Sequence, residues 1–429
     1  MKQSAGKTKL LIFGVSGDLA QRKLLPALDA ILAVEEFNDV SIVGISRRDI
    51  TLPPNSSERV RSRTSLFKMD VADPNDYVRL RKYTGDNLND NIIVYLAVPP
   101  LAVGQIVRMM GQAGLNTPNV KVLFEKPFGV DLVSSIEMNQ LISQHFTEQQ
   151  TYRIDHYLAK EMAQNIVMFR RSNALLARVW NKESIESIEV IATEKIGIEG
   201  RAEFYEQTGA LRDVMQGHMM QLLALATMEI PTEFSWGMLP QLRLNALQSL
   251  EPADPTKATR GQYTGYQQEV ANLGSTTETF VAARLESSDD NWRGVPITLV
   301  TGKAMAEKTT EIRVYFRKTH DAQTNCLKFN IQPNEGVSIM LHVKKPGYTR
   351  DLEEHTLAFA YPEDTRLPDA YEQVLVDSIR SEQSLFTSGE ETIQSWRVLQ
   401  PLLDAWAMTD TIPLYKVGVK VSNDWLEER

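Results

Sequence analysis

Five short apolar runs punctuate the first 125 residues, at 9–13 (KLLIF), 41–45 (SIVGI), 65–71 (SLFKMDV), 92–97 (IIVYLA) and 120–124 (VKVLF). Between them lie stretches with helical periodicity, such as 24–37 and 102–114. Runs this short and β-branched read as strands, and strands that alternate with helices must pair in parallel, because each crossover brings the chain back to the same end of the sheet. Nearly continuous apolar strands are buried on both faces. The expected architecture of this part is therefore a doubly wound parallel sheet with helices on either side.

Beyond about residue 150 the pattern changes. A helical stretch over 155–171 is followed by a strand at 185–194 and a long helical segment over 209–229. Period-2 runs then crowd together at 277–286, 297–300, 311–316, 326–332, 337–343 and 355–361, which predicts a mostly antiparallel sheet. Helices at 369–380 and 391–406 close the chain and are expected to cover that sheet, while the polar, breaker-rich stretch 252–264 reads as a surface loop. The fold class is thus α/β plus α+β: a Rossmann-like domain over 1–154 and a larger domain over 155–429, built on a mostly antiparallel sheet with helices.

Composition bounds the function. A chain of 429 residues has room for two or three domains, and 42% hydrophobic with 24% charged residues excludes wholesale disorder and a coiled-coil rod. A net charge of −9 argues against nucleic acid or an anionic membrane surface as a partner and leaves a small molecule. The single cysteine, Cys326, cannot close an intrachain disulfide, which suits a reducing compartment. The start of the chain has only four consecutive apolar residues, and no later stretch approaches the roughly 20 needed to span a bilayer. The expected location is cytoplasmic.

Four segments carry chemistry. Gly14-Val15-Ser16-Gly17-Asp18-Leu19-Ala20, followed by Gln21, sits where the first strand turns into the first helix. There glycines allow close backbone approach, and the helix N-terminus offers free N–H groups to a pyrophosphate. The second strand ends in Arg47-Arg48, where NAD enzymes place a carboxylate for the ribose 2′-hydroxyl; guanidinium groups attract a 2′-phosphate instead, favouring NADP over NAD, with Asp49 as the counter-indication. Glu125-Lys126-Pro127-Phe128-Gly129 follows the fifth strand, at the sheet edge where ligands bind. In 153–161, a helix would set His156 and Lys160 on one face beside Tyr157, a patch suited to phosphate, with Asp155 directed elsewhere. In 212–221, Met215, Met219, Leu222 and Ala226 form an apolar stripe, so His218 reads as a core histidine unless a carboxylate orients it toward a substrate hydroxyl; Asp155 is available for that.

Together these segments resemble the glucose-6-phosphate dehydrogenase family. Its coenzyme turn G-A-S-G-D-L-A is similar to 14–20, its E-K-P-F-G is intact at 125–129, and its R-I-D-H-Y-L-G-K-E differs only at Ala159. Q-P-N-E at 332–335, K-K-P-G at 344–347 and L-P-D-A-Y-E at 367–372 extend the resemblance over the whole chain. The resemblance implies that His218 is the general base with Asp155 as its partner. It implies that His156, Tyr157 and Lys160 hold the substrate phosphate, and that Lys126, Glu194 and Asp213 bind sugar hydroxyls, with Lys126 also near the nicotinamide. Lys303 and Lys308 match a second cationic segment, and Gln332 a further substrate contact. The implied reaction oxidises C1 of glucose 6-phosphate to the lactone with NADP and without a metal, in a homodimer or a dimer of dimers. Gly217, Ala159 and Gln21 depart from the family pattern and leave open another aldose or amino-sugar phosphate. A non-catalytic relative that binds sugar phosphate or cofactor and regulates a partner is the other alternative.

Overall fold

The computed structural model describes residues 7–49, 51–53, 56–85, 87–318, 323–362 and 364–421. The chain forms two compact units. The first takes in Met1–Ala159, Ser235–Pro240 and Pro368–Ile393, and the second Lys160–Phe234, Gln241–Leu367 and Gln394–Arg429. The division expected after residue 154 thus falls after Ala159, and a later piece of chain returns to the first unit.

The first unit is a seven-stranded sheet. Its strands are β1 (Thr8–Phe13), β2 (Val40–Ser46), β3 (Thr64–Lys68), β4 (Asn91–Leu96), β5 (Val120–Phe124), β6 (Thr151–Ile154) and β15 (Phe386–Thr387), in the order β15-β6-β5-β4-β1-β2-β3. β1 to β6 run parallel, with Leu10 beside Ile42 and Ile93. Alternation within the apolar runs feeds two cores: Leu10, Ile12, Ile93 and Tyr95 pack on one face, and Leu11, Phe13, Ile92 and Val94 on the other. The order reverses between β1 and β4, the position at which such sheets open a ligand crevice.

Two expectations change here. Helix Ala370–Arg380, capped by Asp369 with Glu372, does not cover the antiparallel sheet; Val374 and Leu375 enter the first unit's core, and β15 pairs antiparallel with β6. Periodicity revealed an apolar face but not what that face would meet. Nor does a helix begin at Asp155. Asp155 Oδ1 accepts from Tyr157 N at 2.9 Å and its carbonyl accepts from Leu158 N at 3.1 Å, which turns the chain, and the helix runs only over Glu161–Ser172. An Asp side chain that bonds the backbone two residues on competes with helix in this way. His156 and Lys160 therefore do not share a helical face.

The second unit is built on nine strands: β7 (Ile185–Thr193), β8 (Ala258–Tyr263), β9 (Phe280–Leu285), β10 (Ile297–Gly302), β11 (Thr309–Phe316), β12 (Cys326–Gln332), β13 (Gly336–Lys344), β14 (Leu352–Ala360) and β16 (Leu414–Tyr415). They lie in the order β14-β13-β12-β11-β7-β10-β9-β8-β16. Pairing is antiparallel except for β7 with β10 and β8 with β16. The presumed loop at 252–264 contains β8, whose residues from Arg260 to Tyr263 are buried. Polar side chains of β8 donate inside the fold: Gln262 Nε2 to Thr277 O at 2.9 Å and Arg260 Nη2 to Trp406 O at 3.1 Å. That internal bonding is invisible to a hydropathy reading. No helix among the described residues is long and apolar enough to cross a membrane.

The long helical segment is broken and rewound. Gly209 stands at φ 65°, and the chain continues from Leu211 to Met219 with π-type i→i+5 bonding before an α-helix over Met220–Thr227.

Candidate active site

In the first unit the site grows from the end of β1. Gly14 adopts φ +79°, and a Cβ there would lie 2.2 Å from Ala97 O, so only glycine fits. Gly14 N donates to Ile45 O at 3.1 Å and Gly17 N to Gly14 O at 2.8 Å, which closes the turn before the helix opens at Asp18. Ser16 O accepts from Gln21 Nε2 at 2.8 Å, while Asp18 pairs with Arg22 at 2.7 Å. Val15 and Ala20 are buried in the turn's support, with Leu19 packed against the same core. The turn borders a cleft of about 590 Å³, lined also by Ser46, Arg47, Arg48, Val98 and Pro99, at the point where the strand order reverses.

Arg47 and Arg48 are exposed on this cleft, and neither has an ion-pair partner among the described residues. Asp49, the counter-indication, is taken by Lys68, whose Nζ stands 2.5 Å from its Oδ2. The cleft thus offers two guanidinium groups and backbone N–H groups to a dinucleotide's phosphates, and an adjacent glycine turn that a Cβ would obstruct. The residues fit NADP.

Beyond β5, Glu125 is half-buried and accepts from Tyr95 O–H. Burial pushes its carboxyl pKa above the ordinary value. Lys126, joined to Pro127 by a cis peptide, places Nζ 2.8 Å from Asp155 Oδ2. Both carboxylate oxygens of Asp155 are therefore engaged, one by Lys126 and one by Tyr157 N. Tyr157 is buried, with its ring centroid 4.8 Å from that of His156.

The second unit holds the other group. Lys303 is buried, with Nζ in contact with the Glu194 carboxylate, 3.8 Å from Asp213 Oδ2 and 5.7 Å from the centre of the Tyr205 ring. A lysine expected to bind substrate as part of a second cationic segment is thus an internal clamp on two carboxylates. His218 is buried, and half-buried Asp213 lies on the same π-wound segment. An i→i+5 ladder lays residues about five apart one above the other, whereas α-helical winding would set Asp213 and His218 about 140° apart.

The remaining expected residues are dispersed. Lys160 is half-buried just before helix Glu161–Ser172, whose Met162 N donates to Glu335 of the Q-P-N-E segment at 2.8 Å. Lys308 is exposed, and Gln332 Nε2 donates to Thr310 Oγ1 at 3.0 Å. Tyr205 and Glu278, which frame the second group, were missed in the sequence; Gly209, set against Glu278, was the one available signal.

A cleft that receives a dinucleotide bearing a 2′-phosphate belongs to the NADP-dependent oxidoreductases. Family models described as the glucose-6-phosphate dehydrogenase NAD binding domain and C-terminal domain match residues 11–55 with 52–165, and 167–426, respectively. The chain belongs to the glucose-6-phosphate dehydrogenase family. It is 35% identical over 459 residues to a glucose-6-phosphate 1-dehydrogenase of Dickeya dadantii (strain 3937), covering 95% of this chain and 93% of that one. A Mycolicibacterium smegmatis (strain ATCC 700084 / mc(2)155) enzyme of the same name is 33% identical over 457 residues, covering 94% and 92%. Among solved structures, a glucose-6-phosphate dehydrogenase in complex with its substrate glucose 6-phosphate superposes with a TM-score of 0.90 at 29% identity, covering 100% of this chain and 99% of that one.

Proposed function

We propose that this chain is an NADP-dependent glucose-6-phosphate 1-dehydrogenase in which His218 is the base. The observation that carries the assignment is the winding of Leu211–Met219, which aligns His218 with Asp213, itself clamped with Glu194 by buried Lys303. A histidine on an apolar stripe is otherwise a core residue. Here the same segment presents a base and a carboxylate, and sugar hydroxyls are groups that carboxylates bind well.

His218 takes the proton of the C1 hydroxyl, and Asp155 orients the ring and stabilises the imidazolium. Bound NADP would supply the acceptor for the hydride of C1. Glu194, Asp213 and Lys126 hold the sugar hydroxyls. Lys303 holds its two carboxylates in place. His156, Tyr157 and Lys160 bind the 6-phosphate, supported by Lys308 and Gln332. Gly14 to Gln21 cradle the pyrophosphate, and Arg47 takes the 2′-phosphate.

The partner is a second copy of the chain, in a homodimer or a dimer of dimers. Edge strand β14 is exposed along almost its whole length, with Leu357 62% and Phe359 49% accessible. Its second half, Leu357–Ala360, is apolar, and an exposed apolar edge invites sheet pairing unless it is covered. A cytoplasmic location accords with the single free cysteine.

His218→Asn tests the reading. Turnover should fall by about 100-fold to 10,000-fold, the usual contribution of a general base, while glucose 6-phosphate still binds. Near-normal kcat in that variant sinks the assignment.

A further inference from the structure

The π-wound segment needs an external hold, because i→i+5 winding is rare and confined mostly to single turns. Its N-terminal end carries that hold. Glu278, 4% exposed and just ahead of β9, accepts twice from the start of the segment: its Oε1 from Leu211 N at 3.1 Å, and its main-chain oxygen from Ala210 N at 2.9 Å. The carboxylate lies against Gly209, where a Cβ would stand 2.3 Å from Oε1 and 2.7 Å from Oε2. The next residue, Thr279, accepts through its carbonyl from Lys303 N at 2.9 Å. One dipeptide thus braces both the segment that bears Asp213 and His218 and the lysine that clamps Asp213.

We propose that Glu278 is a positioning residue for sugar oxidation, holding the start of the π-wound segment so that Asp213 and His218 stay in register against Lys303. This rests on the roles given to His218 and Asp213 above. Glu278 touches no reacting atom and acts through the backbone it anchors. The anchor requires an acceptor at the reach of Oε1. Burial raises the Glu278 carboxyl pKa, with its own N–H, the Leu211 N–H, Arg212 and Arg260 pulling it back. Glutamine keeps that acceptor, aspartate withdraws it by one methylene, and alanine removes it.

Steady-state kinetics on the full-length chain, with glucose 6-phosphate and NADP each varied, decide the matter. Glu278→Ala should lower kcat at least tenfold and raise KM for glucose 6-phosphate at least fivefold, with KM for NADP within twofold. Glu278→Gln should return both sugar parameters to within threefold of the parent. Sugar parameters unchanged in Glu278→Ala, or KM values for both substrates shifting alike, overturn the proposal. Should Glu278→Ala not fold, Glu278→Asp and Glu278→Gln carry the comparison: loss in Asp alone supports the anchor, and equal behaviour overturns it. His218→Asn, run alongside, separates the two readings. Retained turnover there overturns the base assignment, whereas its loss beside an unaffected Glu278→Ala overturns only the anchor.

Discussion

Lys126 Nζ stands 2.8 Å from Oδ2 of Asp155, a carboxylate only 1% exposed, and the two residues follow the ends of the adjacent parallel strands β5 and β6. The pairing explains why both lie at the carboxyl edge of the sheet, since parallel neighbours end side by side. Removing one partner of a buried ion pair is destabilising by about 3 kcal/mol. Asp155→Asn should therefore lower the thermal midpoint as well as kcat, the latter by about 100-fold. A variant with unchanged midpoint and turnover would contradict both roles of Asp155.

Arg47 faces the dinucleotide cleft without an ion-pair partner among the described residues. A charge-assisted bond to phosphate is worth about 1.5–3 kcal/mol, or roughly 10-fold to 100-fold in affinity. Arg47→Ala should raise KM for NADP by that factor and leave KM for NAD almost unchanged. Equal losses with both cofactors would exclude contact with the 2′-phosphate.

Lys303 pairs with both Glu194 and Asp213 from a buried position. Lys303→Met keeps the aliphatic volume and leaves two carboxylates facing each other. KM for glucose 6-phosphate should rise at least tenfold and KM for NADP stay level. Differential scanning fluorimetry should show a lower midpoint, with part of the loss recovered on adding Glu194→Gln. Absence of that recovery would mean the clamp is not electrostatic.

Asp377 lies on helix Ala370–Arg380, where burial lifts its carboxyl from 3.8 to about 6. The folded state then holds a proton that the unfolded chain has lost between about pH 4 and pH 6. This contribution to stability is present below about pH 4 and disappears as pH rises through about 6. Asp377→Asn keeps an acceptor for Gln373 Nε2, which donates to Oδ1 at 2.8 Å, and removes the charge. It should raise stability at pH 7.5 by about 1–3 kcal/mol and leave it unchanged near pH 4, as read by urea denaturation at both pH values. A stabilisation of equal size at both would point to packing instead.

Leu357 and Phe359 give β14 its exposed apolar character. On the proposed pairing through β14, the parent chain should sediment as a dimer or larger at micromolar concentration and the Leu357→Glu, Phe359→Glu double variant as a smaller species. An unchanged sedimentation coefficient would place the interface elsewhere.

The sequence by itself determined the parallel sheet, because strands buried on both faces must be apolar at nearly every position, and β5 falls on the very residues its hydropathy marks. It also determined the chemical inventory, since the glycine turn, Lys126 and Arg47 belong to contiguous motifs whose spacing is local. Tertiary structure decided what local spacing cannot hold. Helix Ala370–Arg380 went to the first unit because its apolar face is nonspecific about what it covers. Asp155 ended a strand instead of opening a helix, since its side chain bonded the backbone ahead. Lys303 became buried only because two carboxylates distant in sequence, Glu194 and Asp213, were folded against it. The segment that carries Asp213 and His218 took i→i+5 winding, its first N–H held by Glu278, a residue some 60 positions away whose bond to Leu211 exists only in the folded chain.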